Sequence, residues 1–169
     1  WQQAGQHAVD RSAHAEAIAH LTHAVALVRT LPTTPARAWQ ELTLQCSLGV
    51  QLATRGAATA EVERTYTRAL ALCQQVGNTQ ELIPVLYGLS RLYKKRGQLR
   101  RARDLGEQLL VLAQSHGTTA LLLRGHYVLG EILLWLGEFS AARAHLEQGY
   151  RLRRPAPAPE GCGRRWARI

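Results

Sequence analysis

Apolar residues recur along this chain at steps of three and four. Ala17, Leu21, Ala24, Val25 and Val28 share one helical stripe, and Leu105, Leu109, Leu112 and Ala113 share another. That spacing turns one side of a helix toward a core. The period-two alternation of a half-buried strand is absent. Punctuation falls between the stripes, in TLPTTP at 30–35, GNT at 77–79, GTT at 117–119 and the single glycines Gly56, Gly97 and Gly137. The pattern predicts seven or eight helices, near 1–11, 13–30, 35–55, 59–76, 80–96, 98–116, 119–136 and 138–153. Thr79 and Thr118 are the expected N-caps of the fifth and seventh.

Two of these stretches are spelled alike. RGQLRRARDLGEQLL at 96–110 and LGEFSAARAHLEQG at 136–149 both read Gly, one residue, an apolar residue, two residues, then Ala-Arg. Gly56, Gly97 and Gly137 stand 41 and 40 residues apart, each between a helix that closes and one that opens. The repeating unit is therefore a helical hairpin. One repeat domain is expected over 1–154, with units near 1–34, 35–77, 78–117 and 118–154, followed by a Pro/Arg-rich tail, 155–169, expected to be disordered.

Within each unit, large and small apolar residues keep fixed places. The fourth has His126, Leu129, Gly130 and Leu133 in its first helix, then Gly137, Phe139, Ala142, Leu146 and Gly149. The third has Leu86, Leu89, Tyr93, Gly97, Leu99 and Ala102, with Ser90 at the small place. The second keeps Gly49 and Gly56, and the first has Trp1, Ala4, Gly5 and Ala8, then Ala17, Leu21 and Ala24. On these residues the chain resembles the tetratricopeptide-repeat arrays. The resemblance implies an all-α fold, a right-handed α-solenoid of about four helix-turn-helix repeats.

A narrower resemblance rests on RSAHAEAIAHLTHAVALVRTLPTTPARAWQELTLQCSLG and ALCQQVGNTQELIPVLYGL. These are similar to the C-terminal repeat region of bacterial regulators that join a class III adenylate or guanylate cyclase domain to an AAA-type ATPase domain. It covers roughly 1–150 and fails in YRLRRPAPAPEGCGRRWARI. It implies a non-catalytic scaffold or sensor arm for signal transduction, with the catalysis elsewhere in the parent protein.

The net charge of +9 is unevenly placed: Arg91 to Asp104 contributes +6 and Arg151 to Ile169 contributes +5, leaving −2 for the rest. So patchy a distribution, without a recognition helix, zinc finger or aromatic strand motif, argues against nucleic acid as partner. Arg96, Arg100, Arg101 and Arg103 form a basic patch at one turn. Lys94, Lys95 and Arg96 end a helix, where cations favour the dipole by about 0.3–1 kcal/mol each, and the rest reads as solvated; the functional alternative is docking of an acidic protein segment.

In the resembled arrays, partners lie on the concave face lined by the first helix of each repeat. Carried onto this chain, those places select Tyr87, Arg91, Lys94 and Lys95 in the third unit and Arg124, Tyr127, Glu131 and Trp135 in the fourth. Cys46, Val50 and Thr54 fall there in the second. Aromatic rings among cations suit a peptide with acidic and apolar side chains. The paired Lys and Asn of the carboxylate-clamp type are missing, so chaperone C-termini are not expected as ligands. The competing reading is a structural spacer or autoinhibitory arm of an attached ATPase or cyclase. Exposure of Tyr87, Tyr127 and Trp135 on one face favours binding, and their burial between helices favours the spacer.

Catalytic chemistry is not spelled. The chain lacks a phosphate-binding G-x-x-x-x-G-K-[ST] loop, H-E-x-x-H, G-x-S-x-G and a dinucleotide fingerprint, so no enzyme and no cofactor are expected. His14, His20 and His23 lack the further ligands and second shell of a metal site. Glu61 and Glu63 read as negative charge at a helix start. Cys46, Cys73 and Cys162 match neither a C-x-x-C site nor an even disulfide framework, which points to a reducing, cytoplasmic setting and to buried thiols. No apolar run reaches the roughly 18–20 residues a bilayer requires, so no membrane is expected. Trp1 at the start and the lack of methionine read as an excised fragment. Uncapped apolar ends are then expected to cause end-to-end self-association.

Overall fold

The computed structural model describes residues 14–55, 58–77 and 81–153. The expected helix at 1–11, Gly56, Thr79 and the 155–169 tail lie outside the described residues. Seven α-helices and no strand occur among those described: α1 His14–Thr30, α2 Pro35–Thr54, α3 Ala60–Val76, α4 Leu82–Lys95, α5 Leu99–His116, α6 Thr119–Trp135 and α7 Phe139–Arg153. None of them is long and apolar enough to cross a membrane.

Local chemistry sets the boundaries. The Thr34 hydroxyl accepts from the Arg37 amide at 3.1 Å with Pro35 in the first turn, and Thr59 caps Val62 in the same way. Thr118 occupies the N-cap place before α6, but its side chain makes no capping bond; only its carbonyl accepts, from Leu122 at 3.1 Å. Left-handed glycines end four helices: Gly77 at φ 70°, Gly97 at 72°, Gly117 at 67° and Gly137 at 79°.

The turns recur with the sequence. Gly97 donates to the Lys94 carbonyl and Gln98 to that of Tyr93, while Gly137 donates to Leu134 and Glu138 to Leu133. Every one of these bonds reappears 40 residues later. The residue that closes one helix also opens the next, since the Gln98 and Glu138 carbonyls accept from Ala102 and Ala142. Gly77 and Gly117 make the simpler left-handed cap, to Cys73 and Ala113.

Each helix packs on its chain neighbour, and α2 with α4 and α4 with α6 also touch. Neighbours run antiparallel: Gly125 of α6 sits on Leu110, and Gly106 of α5 lies beside Val128, Leu129 and Ile132. By contrast α4 and α6 run in the same direction, because Tyr87 meets Arg124 and Lys94 pairs with Glu131, both 37 residues ahead. Leu42, Leu72, Leu86, Leu109 and Ile132 are essentially fully buried between helices. Each such side chain contributes about 1.5–3 kcal/mol.

Small residues mark close approaches. A Cβ on Gly130 would lie 2.8 Å from Leu146 Cγ, and one on Gly49 would lie 2.7 Å from the Tyr66 ring. Ser90, at the place that Gly130 holds in the next unit, is fully buried and satisfied because its Oγ donates to the Tyr87 carbonyl at 2.9 Å. Glu41 is buried as well, bound by Arg68 at 2.8 and 2.9 Å and by Arg29 at 3.0 Å, with Arg37 at 3.6 Å. These guanidiniums, Arg68 foremost, outweigh the opposing effect of burial and hold its carboxyl at about 2. Burial pushes the Cys46 thiol up to about 12 and that of Cys73 upward too, so both behave as packing groups.

Candidate partner-binding groove

The even-numbered helices carry the residues expected in the groove and bring half of those on α4 and α6 together. Helix α4 presents Tyr87, Arg91 and Lys95 at successive turns, and α6 starts beside it with Arg124. The Arg124 guanidinium lies 5.1 Å from the Tyr87 ring centroid and that of Arg91 lies 5.6 Å away. Both distances fall in the range where a cation is attracted to a ring face. Tyr87 is half-buried between them, while Arg91, Lys95 and Arg124 remain exposed.

Lys94 and Glu131 are spent on each other. Their ion pair ties α4 to α6, and the Lys94 side chain is only 17% exposed. Tyr127 and Trp135 lie farther along α6, 57% and 67% exposed, outside the Tyr87 cluster. Thus four of the eight expected residues converge, two form an internal strut and two stand free on the adjoining surface.

The basic turn also divides. Arg96 donates to the Ala58 carbonyl at 2.9 Å and pairs with Glu63, which Tyr93 also contacts at 2.9 Å. These donors, Arg96 first, hold the Glu63 carboxyl below its ordinary range. Glu63 is therefore a tether between α3 and α4 as well as a first-turn charge. Arg103 bonds Glu107 at 2.9 Å and Glu138 at 2.8 Å. Arg101 rests over Tyr93 at 5.8 Å, and neither it nor Arg100 has a carboxylate partner among the described residues.

Beside Tyr87 opens a cleft of about 410 Å³. Its cationic rim is Arg91, Lys95 and Arg124, and its floor is Val50 and Ala53 of α2, Val62 and Tyr66 of α3, and Gly88 and Leu92 of α4. Val50 and Thr54, expected in the groove, line it; Cys46 does not. Burial raises the Tyr66 hydroxyl to about 12, so the ring is neutral at the floor. The floor residues of α3 escaped sequence reasoning, which assigned the groove to the first helix of each unit. Gly88 was the available signal: a glycine inside an apolar helical stripe marks a close approach.

Among the described residues, no group of three or more His, Cys, Asp or Glu could hold a metal ion. His14 instead bonds Gln51 at 2.7 Å. No family model matches the chain, and no curated protein matches it significantly.

Proposed function

We propose that this chain is a non-catalytic protein–protein interaction scaffold, a right-handed solenoid of about four tetratricopeptide-like hairpins that binds a partner segment along its α2–α4–α6 face. The 40-residue recurrence of turn hydrogen bonds supports the repeat reading. The touching row of even helices supports a curve toward that side. The observation that carries the binding reading is the exposure of α6 aromatics next to the Tyr87–Arg91–Arg124 cluster. Buried aromatics would have favoured a spacer. Here Tyr127 and Trp135 face solvent and Tyr87 is half-open.

On the resemblance to cyclase and ATPase regulators, we take the chain as such an arm of a larger bacterial signalling protein of the cytoplasm. A spacer or autoinhibitory role has support of its own. Lys94–Glu131 ties α4 to α6, Arg96–Glu63 ties the end of α4 to α3, and Arg103–Glu138 ties α5 to the α6–α7 turn, which stiffens the stack.

A photoreactive amino acid placed at Tyr127, Trp135 or, as a control, Val111 tests the proposal. Val111 is 64% exposed but on α5. Binding predicts a cross-linked protein from bacterial lysate at the first two positions only. Equal capture at Val111, or none at any position, would return the chain to the spacer reading.

A further inference from the structure

Within the segment-binding reading, on which this inference rests, the cleft beside Tyr87 limits what the segment can be. Charge is the first constraint. Lys94, Arg96 and Arg103 of the basic stretch have carboxylate partners, yet Arg91, Lys95 and Arg124 have none among the described residues. These three unpaired cations stand together at the cleft, whereas Arg100 and Arg101, also without a carboxylate partner among the described residues, lie at the start of α5 and do not line it. An occupant must bring negative charge to the rim and apolar surface to the floor.

Spacing is the second constraint. Arg91 and Lys95 are one turn apart on α4, about 6 Å along its axis at 1.5 Å per residue. In an extended chain, alternate residues point the same way about 6.6 Å apart and the residue between them points the opposite way. Two carboxylates at alternate positions therefore match the Arg91–Lys95 rise, and the intervening side chain enters the floor formed by Val50, Val62, Tyr66 and Leu92. In a helical ligand, residues on opposite sides of an apolar one do not share a face at that step.

We infer that the cleft recognises an extended segment of a partner protein with the alternation acidic–large apolar–acidic, the apolar side chain held over Tyr66 and the carboxylates by Arg91, Lys95 and Arg124. Tyr87, already stacked by two guanidiniums, positions those cations before the ligand arrives. The ion pairs are partly desolvated and the anchor is buried, so both affinity and salt dependence follow.

The test is selection of a random peptide library on the full chain, followed by titration of selected and permuted peptides. The variants are Arg91→Glu with Arg124→Glu, and separately Val50→Trp, which fills the floor from an exposed position. Helicity measured by circular dichroism verifies each fold. Enrichment of Glu or Asp on both sides of Phe, Leu or Trp, with affinity lost by about tenfold or more in each variant and on permutation, is the expected result. Peptides that need Arg91 and Arg124 but show no alternation would overturn this inference and leave the groove reading intact. Binding indifferent to both variants, or no peptide retained, would overturn both. Selection of helical apolar peptides or binding of a second copy of the chain would also overturn the inference.

Discussion

The Nδ1 atoms of His126 and His145 lie 3.1 Å apart across the seam between α6 and α7, with ring centroids 5.3 Å apart. The bond needs an unprotonated Nδ1 on one of the two rings, so it is lost when both imidazoles are protonated. Burial, and then His145, holds the His126 pKa below its usual value. A lowered histidine pKa means that the unfolded chain binds the proton more readily, so stability rises with pH through this region. The contribution is complete above the unfolded value of about 6.5 and is lost as pH falls below it. The α6–α7 amides should be less protected at pH 5.5 than at pH 7.5 once the pH dependence of intrinsic exchange is divided out, and His145→Gln should reduce that difference. An unchanged profile in the variant would assign the pH effect elsewhere.

Glu41 responds to acid over a lower range. Its folded value of about 2 lies below its ordinary 4.5, so its stabilisation is present above the latter and lost as pH falls through the former. Acid should therefore loosen α6–α7 first and α1–α3 only afterwards. Glu41→Gln should cost about 3 kcal/mol, toward the low end for breaking a buried pair, because Arg29 and Arg68 can reach water. Denaturant titration measures it, and a cost under 1 kcal/mol would mean that the arginines re-pair elsewhere.

Two glycines should respond oppositely. A Cβ at Gly106 meets Ile132 and Leu129 at 3.5 Å, an ordinary contact, so Gly106→Ala should stabilise α5 by about 0.5–1 kcal/mol through reduced chain entropy. Gly130→Leu forces a side chain into Leu146 and the Ala142 carbonyl and should cost about 1–3 kcal/mol. Thermal melts of the pair decide whether the observed register of α6 on α7 holds.

Tyr150 stands 40 residues after Leu110 and is 64% exposed where Leu110 is 8% exposed beneath α6. Phe139 and Trp135, at the opposite end of the α6–α7 hairpin, are each 67% exposed. Helix α7 should exchange faster than α4 and α5, which have helices on both sides. Light scattering should rise with concentration and Tyr150→Arg should suppress that rise. A monomer at all concentrations with α7 as protected as residues 82–112 would refute this.

The positions of the seven described helices were legible in the sequence to within one or two residues, because proline, threonine and glycine end helices through local chemistry. Gly97 and Gly137 carried the turn geometry for the same reason. The site was only partly legible. Tyr87, Arg91, Lys95 and Arg124 were selected by carrying over the concave-face places of the resembled arrays, but the Lys94–Glu131 strut depends on how far α6 slides along α4. The three arginines of Glu41 come from α1, α2 and α3, and no single-helix pattern links them. Leu146 is half-buried against Gly130, a fit between two helices that neither helix spells alone.

Tyr66 has a consequence beyond packing. Its ring lies against Gly49 on one helix and Gly88 on another, and it also forms part of the floor of the cleft. The gauge between α2 and α4 is therefore kept by one aromatic ring that solvent barely reaches. A smaller residue there would let the two helices close or hollow the floor, whereas a larger one would meet both glycines. On the binding proposal, ligand preference would be retuned from behind by a single interior substitution, with every cation of the rim left as it is.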